Sequence, residues 1–310
     1  MLIGRVYLFF DLGYNIFYRF SPSGGKAKVR TIIPIVVTIA IVYFILAIVL
    51  IIRKHIKGEK IKHKFLVFFF LFISFNLIGP FLIFLPYTHC EDICYDYLPD
   101  SSGTRAIDEV TVSTTKTGYF FDGPGTESAI VFYPGGKVDT KAYAPLMYKL
   151  AEEGKDCFLV DMPLHMAFFD IGAADYYIDN YEYENWYLMG HSLGGAVIPA
   201  YLYGTDNRVD GIILLAAYST FKIKRYVPVI TIYGTNDGVM NTKRFNDCIS
   251  NWSYKTQEVV IRGGNHSQFG YYGLQKGDNK ASISREEQQE ITVEAIIEWT
   301  DNLEKNKAEK

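Results

Sequence analysis

Gly190-His191-Ser192-Leu193-Gly194 sets a serine between two glycines, with the apolar run WYLMGHS leading in and GGAVIPAYLYG, of helical pattern, leading out. Strand, tight turn and helix is the setting in which G-x-S-x-G holds a hydroxyl up as a nucleophile. A serine hydroxyl attacks poorly near neutral pH unless a base takes its proton and a third group orients that base. Six histidines are available. His55 and His63 fall in a basic loop, His89 follows a long apolar run, and His165 lies between a strand and a helix. His191 adjoins the serine, but adjacent side chains diverge, so it reads as packing. His266 ends the last strand-like run in the glycine-rich GGNHSQFG and is the candidate base. Asp237, in YGTNDGV just past the fifth apolar run, is the candidate acid, with Asp161 of CFLVDMP as its rival. An oxyanion needs two backbone donors. Leu193, which follows the serine, would supply one N–H; the loop YPGGKVD would supply the other from Gly136 or, alternatively, Lys137.

These residues need a frame. From residue 105 onward short apolar runs alternate with helical patterns. VTVSTTKTGYFFDG (110–123) reads as an edge hairpin. AIVFYPGG, CFLVDMP, WYLMGHS, GIILLAAY, VPVITIYG and EVVIRGGNH read as strands ending at 136, 163, 192, 218, 234 and 266. Helices are expected over 140–154, 170–181 and 194–204, and a last one opens at Ser284 with Glu287 three residues on, a capping box. Continuous apolar strands alternating with helices imply a mostly parallel sheet covered on both faces. Chemistry in such sheets gathers at the carboxyl ends of the strands, where all the candidate residues fall.

The stretches YPGGKVD, MPLHMAFFD, LMGHSLGGA, YGTNDGV and GGNHSQFGYYGLQKGD resemble the α/β-hydrolase superfamily, and more narrowly a bacterial subgroup with a compact, lidless core. The resemblance spans roughly residues 125–290. It implies an α/β-hydrolase fold and serine hydrolase chemistry on an ester, thioester or amide, with no metal or cofactor. Only the eight residues STFKIKRY separate two strands where many relatives insert a lid, so an open pocket is expected, walled by 162–169 and 268–273. The aromatic residues there suit acyl or aryl groups, and serve equally well as loop packing.

The first ninety residues differ in kind. Residues 31–52 and 65–86 contain no charged side chain, and about 20 apolar residues cross a bilayer. They predict a two-helix transmembrane hairpin over 31–86, preceded by a tail (1–30) that suits an interface. The loop 53–64 between them carries six Lys or Arg, whereas 87–100 carries Glu91, Asp92, Asp96 and Asp100 and no Lys or Arg. The positive-inside rule then puts the loop in the cytoplasm and the domain 105–310, joined by a linker at 87–104, outside. Arg19, Lys26, Lys28 and Arg30 pull the other way. Outside the cell, Cys90 and Cys94 would form a disulfide or remain two free thiols.

Four cysteines without a C-x-x-C pair or a histidine cluster argue against structural zinc, and the glycines of YPGGKVD lack nucleotide P-loop spacing. A net charge of −3 with no basic stripe argues against nucleic acid. The reading is a membrane-anchored serine hydrolase, most simply a carboxylic ester hydrolase, taking a small-molecule or lipid-like acyl substrate. The sequence carries no sign of a protein partner. An acyltransferase or peptidase would use the same three residues, and a binding protein on a hydrolase fold is the reading from another class.

Overall fold

The apolar runs assemble into one nine-stranded sheet. The computed structural model describes residues 86–310, apart from 206, 220–221, 223–226, 253–255 and 310, together with Phe69 and Phe72. The chain divides into two units, Met1–Leu85 and Pro86–Lys310, and the sheet belongs to the second. The tail 1–30, the basic loop 53–64 and the expected spans 31–52 and 65–86 lie outside the described residues, save Phe69, Phe72 and Pro86. Among the described residues no helix is long and apolar enough to cross a membrane.

Three antiparallel strands open the sheet: β1 (Thr104–Ile107), β2 (Val110–Thr115) and β3 (Gly118–Asp122). The parallel part follows with β4 (Ser128–Tyr133), β5 (Asp156–Val160), β6 (Asn185–His191), β7 (Gly211–Leu215), β8 (Val229–Gly234) and β9 (Thr256–Ile261). Their order across the sheet is β1-β2-β3-β5-β4-β6-β7-β8-β9. The chain leaves β4 toward β5 on one side and returns to β6 on the other, so the strand order reverses at β4. Such a switch point opens a crevice at the carboxyl ends.

Among the described residues five helices flank the sheet: α1 (Ala144–Glu152), α2 (Ala173–Asn180), α3 (Leu193–Gly204), α4 (Thr242–Cys248) and α5 (Arg285–Ala308). Successive strand side chains point to opposite faces. Ile130, Phe132 and Met189 join Leu146 of α1 and Ile296 and Trp299 of α5 in one core. Ala129, Val131 and Leu188 join Tyr177 of α2 and Ile198 and Leu202 of α3 in the other. This two-sided burial is why the strands read as unbroken apolar runs. Ser284 caps α5, its side chain accepting from the Glu287 amide at 3.0 Å.

Four strands stop three or more residues earlier than their apolar runs suggest, and the first, β4, ends at Tyr133 where Pro134 follows. β5 ends at Val160, shortly before Pro163, which has no N–H for a ladder. β7 ends at Leu215 because Ala216 takes a φ of +47°, and β9 ends at Ile261 before Gly263 turns at +80°. The hairpin 110–123 is not an edge, since β1 pairs outside it. Helix 140–154 begins as a 3-10 turn, Thr140–Tyr143, before α1.

The segment between Pro86 and β1 lies on the domain. It holds a 3-10 helix, Asp92–Tyr97, and its Glu91 amide donates to the Tyr271 carbonyl at 2.8 Å. The Glu91 carboxylate pairs with Arg285 at 2.7 Å and accepts from the Gly273 amide at 3.0 Å. Cys90 and Cys94 are not bridged; the Cys94 thiol donates to the Tyr271 carbonyl at 3.7 Å.

Candidate active site

Ser192 ends β6 and begins α3 with φ 51° and ψ −117°, an unfavourable backbone for a non-glycine residue. The flanking glycines explain how so tight a turn packs. A Cβ on Gly194 would sit 2.0 Å from the Tyr133 carbonyl oxygen, and one on Gly190 would sit 2.5 Å from the Gly195 nitrogen. The Ser192 amide donates to the Leu215 carbonyl of β7 at 2.9 Å, which pins the turn to the sheet.

β4 and β6 are neighbours with Tyr133 opposite Gly190, so the YPGGKVD loop and the serine turn leave the sheet side by side. A Cβ on Gly136 would lie 2.7 Å from Leu193 Cδ2, which fixes how closely the two loops approach. The Lys137 amide donates to the His165 carbonyl at 2.7 Å and the Gly135 amide to the Tyr143 hydroxyl at 3.1 Å. Leu193 is the first residue of α3, where N–H groups have no partner within the helix and favour negative charge.

β8 and β9 pair through Gly234 and Ile261, which brings the two following loops together. His266 Nδ1 meets Asp237 Oδ2 at 2.8 Å, with the side chains 1% and 3% exposed. Asp237 Oδ1 accepts from the amides of Val239 (2.8 Å) and Met240 (2.7 Å), so both carboxylate oxygens are held. The far nitrogen of the ring, Nε2, is buried and makes no hydrogen bond, to Ser192 included. Asp161, the rival acid, accepts from the Thr140 hydroxyl at 2.9 Å, and the histidine it acts on electrostatically is His165.

Two parts of this site are invisible to motif reading. Asp278 takes the amides of Gly238 (3.0 Å), His266 (3.4 Å) and Ser267 (2.9 Å) and the Ser267 hydroxyl (2.6 Å). One carboxylate thereby ties the aspartate loop to the histidine loop. From α5, the buried Gln288 side chain grips the backbone of Asn265 in both directions at 2.9 Å.

The second part is a buried chain of hydrogen bonds around His191. Burial, reinforced by the neighbouring His266, depresses the His191 pKa well below the ordinary histidine range, so the ring is neutral. Its Nε2 faces the His266 carbonyl at 3.1 Å, an acceptor, and therefore carries the proton. Its Nδ1 then accepts from the Tyr143 hydroxyl at 2.8 Å, which in turn accepts from the Gly135 amide at 3.1 Å. The chain links the loop after β4, the 3-10 turn before α1, the end of β6 and the backbone of His266. Tyr143→Phe leaves the Gly135 amide and His191 Nδ1 buried and unpartnered, and is expected to lower unfolding free energy by about 2–3 kcal/mol, measured by denaturant titration.

Among the described residues no group of His, Cys, Asp and Glu side chains could hold a metal ion. Ser192 and Leu193 on the turn after β6, Gly136 on the loop after β4, and the His266–Asp237 pair on the loops after β9 and β8 all lie past the carboxyl ends of the parallel strands.

No curated protein matches the chain. Similar solved structures include a soluble variant of monoglyceride lipase from Saccharomyces cerevisiae with a substrate analogue, 11% identical over 64% of this chain and 94% of that one, TM-score 0.48. Dienelactone hydrolase from Anabaena variabilis is 15% identical over 64% and 95%, TM-score 0.47. Est1E from Butyrivibrio proteoclasticus is 14% identical over 65% and 98%, TM-score 0.46. The model of the alpha/beta hydrolase family matches residues 129–290, over half of the 310 residues, and the protein belongs to that family.

Proposed function

We propose that the protein is a membrane-anchored serine hydrolase that cleaves a carboxylic ester through an acyl-enzyme. The carrying observation is the buried His266–Asp237 pair at 2.8 Å, whose free Nε2 edge belongs to the loop beside the Ser192 turn. His266 takes the Ser192 proton at Nε2 as Oγ attacks the carbonyl carbon. The Gly136 and Leu193 amides hold the oxyanion, each donor being worth about 3 kcal/mol in the transition state. His266 gives the proton to the departing alcohol, then takes one from water, which hydrolyses the acyl-enzyme and restores the hydroxyl. Asp237 fixes the ring with its proton on Nδ1 and offsets the positive charge that forms. Thioesters and amides differ only in the leaving atom. Catalytic hydrogen bonds are often open before substrate binds, and Ser192 Oγ closes on Nε2 in the complex.

The anchor is the apolar pair 31–52 and 65–86, and the charge difference between 53–64 and 87–100 supports a domain on the extracytoplasmic side. The test is labelling of the full chain in lipid vesicles by a fluorophosphonate, with the adduct located by mass spectrometry. One phosphonate on Ser192 is expected. A folded protein that stays unlabelled in lipid would sink the reading.

A further inference from the structure

The chain meets the site as soon as it enters the described unit. One residue after Pro86, Tyr87 stacks on His165, ring centroids 3.9 Å apart and 26° between planes. Thr88 then pairs with the oxyanion loop: its amide donates to the Lys137 carbonyl, and its carbonyl accepts from the Asp139 amide, both at 2.8 Å. His165 belongs to the wall 162–169, which backs directly on the same loop. Met166 Sδ lies 3.5 Å from where a Cβ of Gly136 would stand.

That wall buries Met162 and Ala167 and turns three larger apolar side chains outward. Tyr87 is 36% exposed, Leu164 38%, Phe168 36% and Phe169 45%, with the two phenylalanine rings 4.4 Å apart. Leu164 and His165 both take a φ of 56°, an unfavourable backbone for branched and bulky residues, while Leu164 stays out of the core. Large apolar side chains exposed together on one short segment and on the stretch of chain stacked against it mark an interaction surface. The sequence that leads into Pro86 says which one. It carries two charge-free runs of bilayer-spanning length, the second ending at residue 86. A residue spans at most about 3.6 Å, so Tyr87 cannot stand far from where the chain leaves the bilayer. Tyrosine suits that boundary, its ring buried and its hydroxyl wet, and phenylalanine and leucine bury wholly apolar side chains there.

We propose that Tyr87, Leu164, Phe168 and Phe169 form a rim seated in the bilayer surface, and that the site draws the acyl ester of a membrane lipid through it. The substrate assignment rests on the serine-hydrolase reading; the seat does not. The full chain is placed in phosphatidylcholine vesicles with or without bromine on the acyl chains. Phe168→Trp is compared with Tyr203→Trp, an exposed site at the far end of α3, about 16 Å along the helix from Ser192. After subtraction of the wild-type emission, bromine is expected to quench the tryptophan at 168 at least about twofold and to leave that at 203 unchanged. Quenching of neither or of both alike overturns the seat. A dimer of the full chain with the tryptophan at 168 unquenched would give the rim to a second copy and overturn it too. For the substrate, turnover of a long-chain ester held in the vesicle is divided by turnover of a short water-soluble ester. That ratio is expected to fall about tenfold or more in Phe168→Asp and to survive in Phe168→Leu. An unchanged ratio in Phe168→Asp overturns the lipid assignment. Quenching at 168 without phosphonate on Ser192 sinks the hydrolase reading and the lipid assignment with it, and upholds the seat.

Discussion

Ser192→Ala is expected to remove covalent labelling and to lower kcat on the order of 10⁶, as loss of the nucleophile does in serine hydrolases that use a triad. Thermal unfolding should hardly change. The Ser192 side chain caps nothing at the start of α3, and its turn is held by the amide bond to Leu215 and by the glycines, all of which alanine keeps. His266→Ala should cost a similar factor, because an unassisted hydroxyl is nearly as inert as an absent one. The two losses should not add. With no Oγ there is no proton for the imidazole to take, so the double variant should be as slow as either single one. His266→Ala leaves Asp237 bonded to the Val239 and Met240 amides, so the comparison is not confounded by a stranded carboxylate. Turnover of a soluble ester by all three variants checks this. Activity of Ser192→Ala within tenfold of wild type would place the nucleophile elsewhere.

The serine, aspartate and histidine were legible because each follows an apolar run and is announced by glycine, and such local patterns are what a sequence displays. Gly194 is there because the Tyr133 carbonyl would meet any side chain, and that contact leaves its mark as a motif. Partners far apart in the chain leave none. Tyr143 and His191 are 48 positions apart, and Glu91 and Arg285 are 194 apart. Neither spacing has a period. Asp278 lies only twelve positions from His266, inside a glycine-rich run that reads as loop. Its importance comes from four donors that converge only when two loops meet. β1 escaped for a different reason: four residues that alternate exposed and half-buried look like any polar linker. His191 reads as packing because adjacent side chains diverge. In the fold, burial makes the ring a neutral link between Tyr143 and the backbone of His266.

Asp237→Asn is expected to lower kcat by about 10⁴ while the fold survives, because the change acts on where a proton sits. Oδ1 of Asp237 accepts two backbone amides, from Val239 and Met240. An asparagine keeps those bonds only if its oxygen takes that position. Its NH₂ then occupies the place of Oδ2, 2.8 Å from His266 Nδ1. A donor facing N–H is repulsive, so the ring must present a lone pair at Nδ1 and move its proton to Nε2. That nitrogen is the one that has to receive the serine proton, and in this tautomer it has no lone pair for it. The opposite amide orientation would keep the productive tautomer, but would set an NH₂ against two N–H donors. The geometry thus favours the inactive tautomer. Asp161→Asn should leave turnover within a few-fold, since the Asp161 carboxylate accepts from the Thr140 hydroxyl while Asp237 holds the His266 ring. Measuring kcat for both variants separates the two aspartates: near-normal turnover in Asp237→Asn with a collapse in Asp161→Asn would transfer the orienting role to Asp161.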